Sequence, residues 1–211
     1  MTGIRPAAAR QTDDDAPLVA AAARGDTAAF NRLVLRYQDQ AYTLCYRLTG
    51  NAEDAADATQ EAFLSAYRHV KEFRGGTFRA WLLRIAANSC YDLHRQRRRR
   101  PAESLDERRA EEGGDGGTVA VADPAVGPED LAVRREMETV VQAGLLTLPE
   151  DQRLAVVLCD LYGFDYQAIG GITGVELGTV KSRINRGRRR LRDYLLARRE
   201  LLPTAYRLKE D

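Results

Sequence analysis

Residues 174–191, GVELGTVKSRINRGRRRL, join a glycine suited to a tight turn to a stretch dense in arginine and lysine. Small or polar residues at a helix's leading end let its backbone approach phosphates, and long cationic side chains along the exposed flank hold them. This is the build of the second helix of a helix-turn-helix, the one that enters a DNA major groove. Gly178, Thr179, Lys181, Ser182, Arg183, Asn185 and Arg186 are its candidate DNA contacts, with Arg188, Arg189 and Arg190 behind them. An arginine or lysine directed at guanine is the commonest base contact, so Lys181, Ser182, Asn185 and Arg186 are read as base-facing and Arg183 as phosphate-facing. Leu177, Val180, Ile184 and Leu191 are assigned to the inner face. The alternative is a solvated basic helix.

Upstream, Asp165 is an N-cap for a short helix through Ile172, and Gly174 supplies the positive φ of the turn. Leu154, Val157, Leu158 and Leu161 form the stripe of a preceding helix opened by Pro149, with Glu150 and Asp151 in its first turn. Leu131–Leu146 reads as another helix, weakened by Gly144 by roughly 1 kcal/mol. Earlier still, Phe30, Leu33, Val34, Tyr37, Ala41, Leu44 and Leu48 recur at three- and four-residue steps, and Gly50 and Asn51 end that helix. A further helix turns Ala55, Ala62, Phe63, Ala66, Tyr67 and Val70 inward. Gly75 and Gly76 separate it from one carrying Phe78, Trp81, Leu82, Ile85, Ala86 and Leu93. Trp81 is open to two readings, as a core residue or as a stacking platform.

The 211 residues carry 32 Lys and Arg against 31 Asp and Glu, a net charge of +1. The near balance conceals segregation: arginines crowd 95–100 and 183–199, and carboxylates dominate 103–130. Residues 101–127, with the GGDGG run at 113–117, bury too little to offset their ordering entropy and read as a flexible acidic linker. The fold class is therefore all-α: two small helical domains, at 18–100 and 128–197, joined by that linker. No stretch reaches the roughly 18 to 20 apolar residues of a membrane span, and no secretory signal is visible, so a cytoplasmic protein without membrane insertion is expected. Cys45, Cys90 and Cys159 read as buried thiols, and with His69 and His94 they make no metal-ligand spacing. No metal, cofactor, nucleophile–base pair or phosphate loop is expected, which argues against an enzyme.

Four motifs, in order, resemble the sigma-70 family of bacterial sigma factors, specifically the extracytoplasmic-function class that retains regions two and four. They are NAEDAADATQEAF at 51–63, FRGGTFRAWLLRIAANSCYDLHR at 73–95, LPEDQR at 148–153 and the helix-turn-helix ending in GTVKSR. The resemblance covers about 18–100 and 128–197. It implies that the first motif docks on the clamp helices of core RNA polymerase. Asp57, Gln60 and Glu61 share one helix face by spacing, with Asp54 a turn earlier; from spacing alone that face is as consistent with a solvated surface. The second motif would capture an unstacked base of the −10 strand through Arg74, Arg79, Asn88, Ser89, Asp92 and Arg95, and region four would read the −35 element and meet the polymerase flap. The linker would thread the polymerase cleft, and an anti-sigma factor is an implied partner. One departure is Gly170-Gly171, where the family usually has alanine and a polar helix former; it should weaken that helix by around 1 to 2 kcal/mol. The competing reading is a stand-alone helix-turn-helix regulator whose first domain senses a ligand or dimerises.

Overall fold

The computed structural model describes residues 15–99, 128–198 and 200; the side chains of 98, 99 and 128–131 are not described. The acidic linker at 101–127 lies outside the described residues, as does the outer part of the arginine run. Among the described residues every regular element is helical. In order they are α1 (Ala16–Ala23), α2 (Thr27–Thr49), α3 (Ala52–His69), α4 (Phe78–Arg99), α5 (Pro128–Leu146), α6 (Glu150–Val156), α7 (Tyr166–Thr173) and α8 (Leu177–Leu196).

Local chemistry sets the boundaries. Asp26 caps α2 by accepting from the Ala29 amide at 3.0 Å, and Asn51 caps α3 by accepting from the Asp54 amide at 2.9 Å. Each capping oxygen satisfies an amide that the first turn leaves without a partner. Asn51 thus belongs to the start of α3, and Gly50 alone stops α2. Pro149 precedes α6 rather than opening it, its carbonyl accepting from Gln152 and Arg153. Asp165 caps α7 through the Ala168 amide at 2.7 Å, and Gly174 ends it at φ 70°, as the turn requires.

Helices α1–α4 enclose one apolar cluster around Phe30, Leu33, Tyr37, Phe78 and Leu82. A second cluster crosses between the two domains. It joins Leu44, Cys45, Leu48, Ala58, Leu83, Ala87 and Cys90 of the first to Leu145, Leu148, Leu154, Leu158, Ile169 and Ile184 of the second. The domains are therefore packed on one another, not merely tethered.

Several expected core positions differ. Leu161 is 55% exposed because a π-helical turn at Val157–Leu161 delays the stripe by a residue, and Tyr162 takes the inward place. Tyr67 is half out, leaning edge-on to Phe30 at 5.0 Å. Leu177 is 57% exposed, the inner stripe of α8 starting only at Val180. Cys45 and Cys90 are buried and hydrogen-bond each other, but Cys159 is half-buried beside Arg188. Gly144 and Gly187 have steric roles: a Cβ at 144 would lie 2.7 Å from Leu191 Cδ1, and one at 187 would lie 2.6 Å from Val156 Cγ2. Both let α8 approach its neighbours closely. At Gly170 the tight neighbour is the Val175 carbonyl, at 3.0 Å from an added Cβ, so its smallness serves the turn rather than a helix crossing.

Candidate polymerase and promoter interfaces

The candidate residues of the first domain divide between the two ends of α4. Near its C-terminal half, α3 and α4 form a groove of about 550 Å³ lined by Asp57, Gln60, Glu61, Leu64, Asn88 and Asp92. Residues assigned from sequence to two partners therefore share one surface. Asp57, Gln60, Glu61, Asn88 and Asp92 are exposed, and Asp92 pairs with Arg95 at 2.8 Å. Two candidates depart from the expected pattern. Ser89 is only 9% exposed, because three residues after Ala86 it falls on the inner side of α4. Asp54 lies a turn back from Asp57, its carboxylate mostly buried and ion-paired with Arg97 of α4. It ties α3 to α4 rather than joining the open acidic face.

At the other end of α4 the second domain partly covers the surface. Arg79 donates to Gln40 Oε1 at 2.8 Å and to the Tyr162 carbonyl at 3.1 Å, and its guanidinium lies 4.5 Å from the centre of the Phe164 ring. Burial lowers its pKa from the usual arginine value, against the raising effect of Tyr162 and Tyr37. Tyr162 completes the junction by donating from its hydroxyl to the Gln40 carbonyl at 2.6 Å. Burial raises the pKa of this phenol, which keeps it a donor at neutral pH. Arg74, by contrast, sits on the exposed glycine loop and donates to the Lys71 carbonyl at 2.7 Å. Trp81 is half-buried, packed on Phe73 and Phe78 with ring centres 5.4 and 5.7 Å away. It also borders a cavity of about 580 Å³ between the domains, shared with Arg79, Arg84, Gly163 and Phe164. Both sequence readings of Trp81 thus have a physical counterpart.

In the second domain the outer face of α8 is open. Gly178, Thr179, Lys181, Asn185 and Arg186 are exposed; Ser182 is half-buried, its hydroxyl donating to the Thr179 carbonyl at 2.9 Å. Arg183 is turned aside, ion-paired with Asp151 of α6 at 2.9 Å, and Arg188 is bound to Asp160. Two of the cations counted toward DNA are therefore engaged within the domain.

Sequence reading missed the polar ties between domains. Arg47 donates to Gln142 at 3.0 Å, Gln142 donates to the Tyr46 carbonyl at 3.0 Å, and the Tyr91 hydroxyl donates to the Glu150 carbonyl at 3.1 Å. Arg153, the last residue of LPEDQR, donates to the carbonyls of Leu48, Leu146 and Leu148. It fastens α6 to the ends of α2 and α5.

The Sigma-70 region 2 family matches residues 33–100, and the Sigma-70 region 4 family matches 139–191. The chain is 39% identical over 176 residues to the ECF RNA polymerase sigma-E factor of Escherichia coli, covering 82% of this chain and 90% of that protein. It belongs to the ECF sigma factors of the sigma-70 family. It is also 44% identical over 176 residues to ECF RNA polymerase sigma factor SigE of Mycolicibacterium smegmatis, covering 82% of this chain and 65% of that relative's length. The structure is similar to that of the sigma factor RpoE from Bartonella quintana, solved with the anti-sigma factor NepR. The TM-score is 0.58 and the identity 28%, over 79% of this chain and 96% of that one. Sigma factors are transcription initiation factors, and these likenesses support that reading over a stand-alone regulator. Among the described residues no helix of this sigma factor is long and apolar enough to cross a membrane.

Proposed function

We propose that this sigma factor docks on core RNA polymerase through Asp57, Gln60 and Glu61, and that its two domains, at about 18–100 and 128–197, divide promoter recognition between them. The observation that carries the reading is the open, cation-bearing outer face of α8, held on a helix-turn-helix whose inner face is packed at Val180 and Ile184. Lys181, Asn185 and Arg186 read the −35 duplex, with Gly178 and Thr179 letting the backbone approach phosphates. Arg74, Arg79, Asn88, Asp92 and Arg95 receive the separated −10 strand, and Arg183 leaves Asp151 for a phosphate when DNA arrives. Asp54 and Ser89 support this surface from beneath.

No covalent step is assigned to this chain. The polymerase supplies the chemistry and the sigma factor supplies binding energy directed at one sequence and at an opened strand. It works in the cytoplasm beside the polymerase. The packed arrangement is a resting form: Arg79 is engaged by Gln40, Tyr162 and Phe164 and has to leave them to meet a base. Domain separation must precede −10 capture, and an anti-sigma factor is the partner expected to favour the packed form.

Run-off transcription with purified core polymerase tests this. Transcripts should begin at promoters that core alone ignores. Tight duplex binding without polymerase, and no stimulated transcript, would point to a regulator instead.

A further inference from the structure

Leu177 is the first residue of α8 and 57% exposed, an apolar side chain at the tip of an otherwise polar and cationic surface. The inner stripe of α8 does not use it: Val180 and Ile184 are fully buried, whereas Leu177 is exposed. It precedes Lys181 and Asn185 by one and two helical turns, so the three fall along one flank of the helix. Beside it, an added Cβ at Gly178 would meet no atom within 4 Å. Lys181 lies one turn on, and the exposed Arg186, Arg189 and Arg190 continue the positive charge further along α8, past the single carboxylate of Glu176 at the tip, which fits a polyanion and not an apolar protein surface.

Such a side chain has one apolar counterpart in the major groove. Every base edge there offers donors or acceptors, and only thymine also offers a methyl group. The leading residues of a recognition helix are those that reach base edges. We propose that Leu177 is a specificity-determining residue that reads a thymine of the −35 element through its C5-methyl group. This rests on the promoter-recognition reading above and adds to it a base identity that hydrogen-bonding candidates alone do not supply. Thymine reading also needs no long side chain, which suits a residue held close to the groove by the glycine next to it.

The test uses holoenzyme assembled from the full chain and core polymerase. Promoters with a randomised −35 element are first sorted by transcription, and each thymine of the preferred element is then replaced by uracil, which differs only in lacking that methyl. One such replacement should lower initiation by wild-type holoenzyme about 3- to 10-fold. With Leu177→Ala the same replacement should have no further effect, and with Leu177→Met the sensitivity should return. The exposed position makes both variants fold, which circular dichroism and an unchanged affinity for polymerase would verify. Equal uracil sensitivity in wild type and Leu177→Ala, a preferred element without thymine, or an equal loss of Leu177→Ala activity on every −35 sequence would overturn the proposal. If those results came with a normal −35 dependence that Lys181→Ala abolishes, only the role of Leu177 would fall. If wild-type holoenzyme gave no promoter-dependent transcript at all, the promoter-recognition reading would fall with it.

Discussion

The two ends of α4 carry residues of similar chemistry in opposite circumstances. At the C-terminal half, Asn88 and Asp92 stand open beside Asp57, Gln60 and Glu61. At the N-terminal end, Arg79 is half-buried, held by Gln40 of its own domain and by Tyr162 and Phe164 of the other. The difference is not one of sequence, since both ends carry polar residues at helical spacing. It arises because the Tyr162–Phe164 corner of the second domain lies on Arg79, whereas at the C-terminal half the second domain meets Tyr91 and His94 and leaves Asn88 and Asp92 uncovered. The face proposed for polymerase stays accessible in the packed molecule, while Arg79, proposed for opened DNA, is engaged. On that proposal the polymerase can be met first, and Arg79 reaches the strand only after the domains part.

The open end can be broken directly. Asp57→Arg with Gln60→Ala reverses the charge at position 57 without touching either apolar cluster, since both residues are exposed. Like charges brought together at an interface cost several kcal/mol, so affinity for core polymerase should fall by about 100-fold. Fluorescence titration of labelled chain with core would measure it. Thermal unfolding should stay within about 0.5 kcal/mol of wild type, as surface changes usually do. An unchanged affinity would move the docking face elsewhere.

The outer face of α8 is open too, and its placement depends on what lies behind it. Gly187 brings α8 against α6 so closely that an added Cβ would lie 3.2 Å from the Gln152 carbonyl as well as 2.6 Å from Val156. Overpacking of this kind costs about 1 to 3 kcal/mol, and the helix-propensity gain of alanine, roughly 1 kcal/mol, offsets only part. Gly187→Ala should therefore lower thermal stability. Gly171→Ala, where an added Cβ meets nothing within 4 Å, should raise it. The pair separates steric from conformational effects, and a stabilising Gly187→Ala would show that α8 is free to shift.

These cases also mark what the sequence disclosed. The longer helices, the Asp165 cap and the turn at Gly174 were legible because they follow from periodicity and from single residues acting on near neighbours, as Asp165 acts on Ala168; α1 and the capping roles of Asp26 and Asn51 were not read. The exposed members of the candidate surfaces were legible for the same reason: Lys181 and Asn185 are four apart, as are Asn88 and Asp92. What escaped were facts made by distant segments. Arg153 looks like a surface cation in a helix's first turns, yet it binds the Leu48 carbonyl 105 residues away. Gly187 looks like an interruption of a basic helix until Val156 is placed against it. The fate of Leu161 turned on one π-turn, which no spacing rule anticipates. Asp54 shares its motif with Asp57 but pairs with Arg97, so motif membership did not fix orientation.

The N-terminal end of α4 gives the smallest effect and the sharpest discrimination. Tyr162→Phe keeps the ring that packs at the junction and removes only the hydroxyl that donates to the Gln40 carbonyl at 2.6 Å. A hydrogen bond of this kind is worth about 1 kcal/mol net, so the balance between packed and parted domains should shift roughly fivefold toward parted. The loss falls on the packed form alone, because in the parted form both groups reach water. Energy transfer between dyes on exposed positions of α3 and α8 should report a lower mean efficiency. In the same variant, a single-stranded −10 oligonucleotide should bind holoenzyme-free chain more tightly, by up to the same factor, since Arg79 is released more often. Polymerase affinity should change little, because the Asp57 face was open from the start. A matching rise in polymerase affinity would instead mean that the junction hides both surfaces, and the two ends of α4 would no longer be functionally distinct.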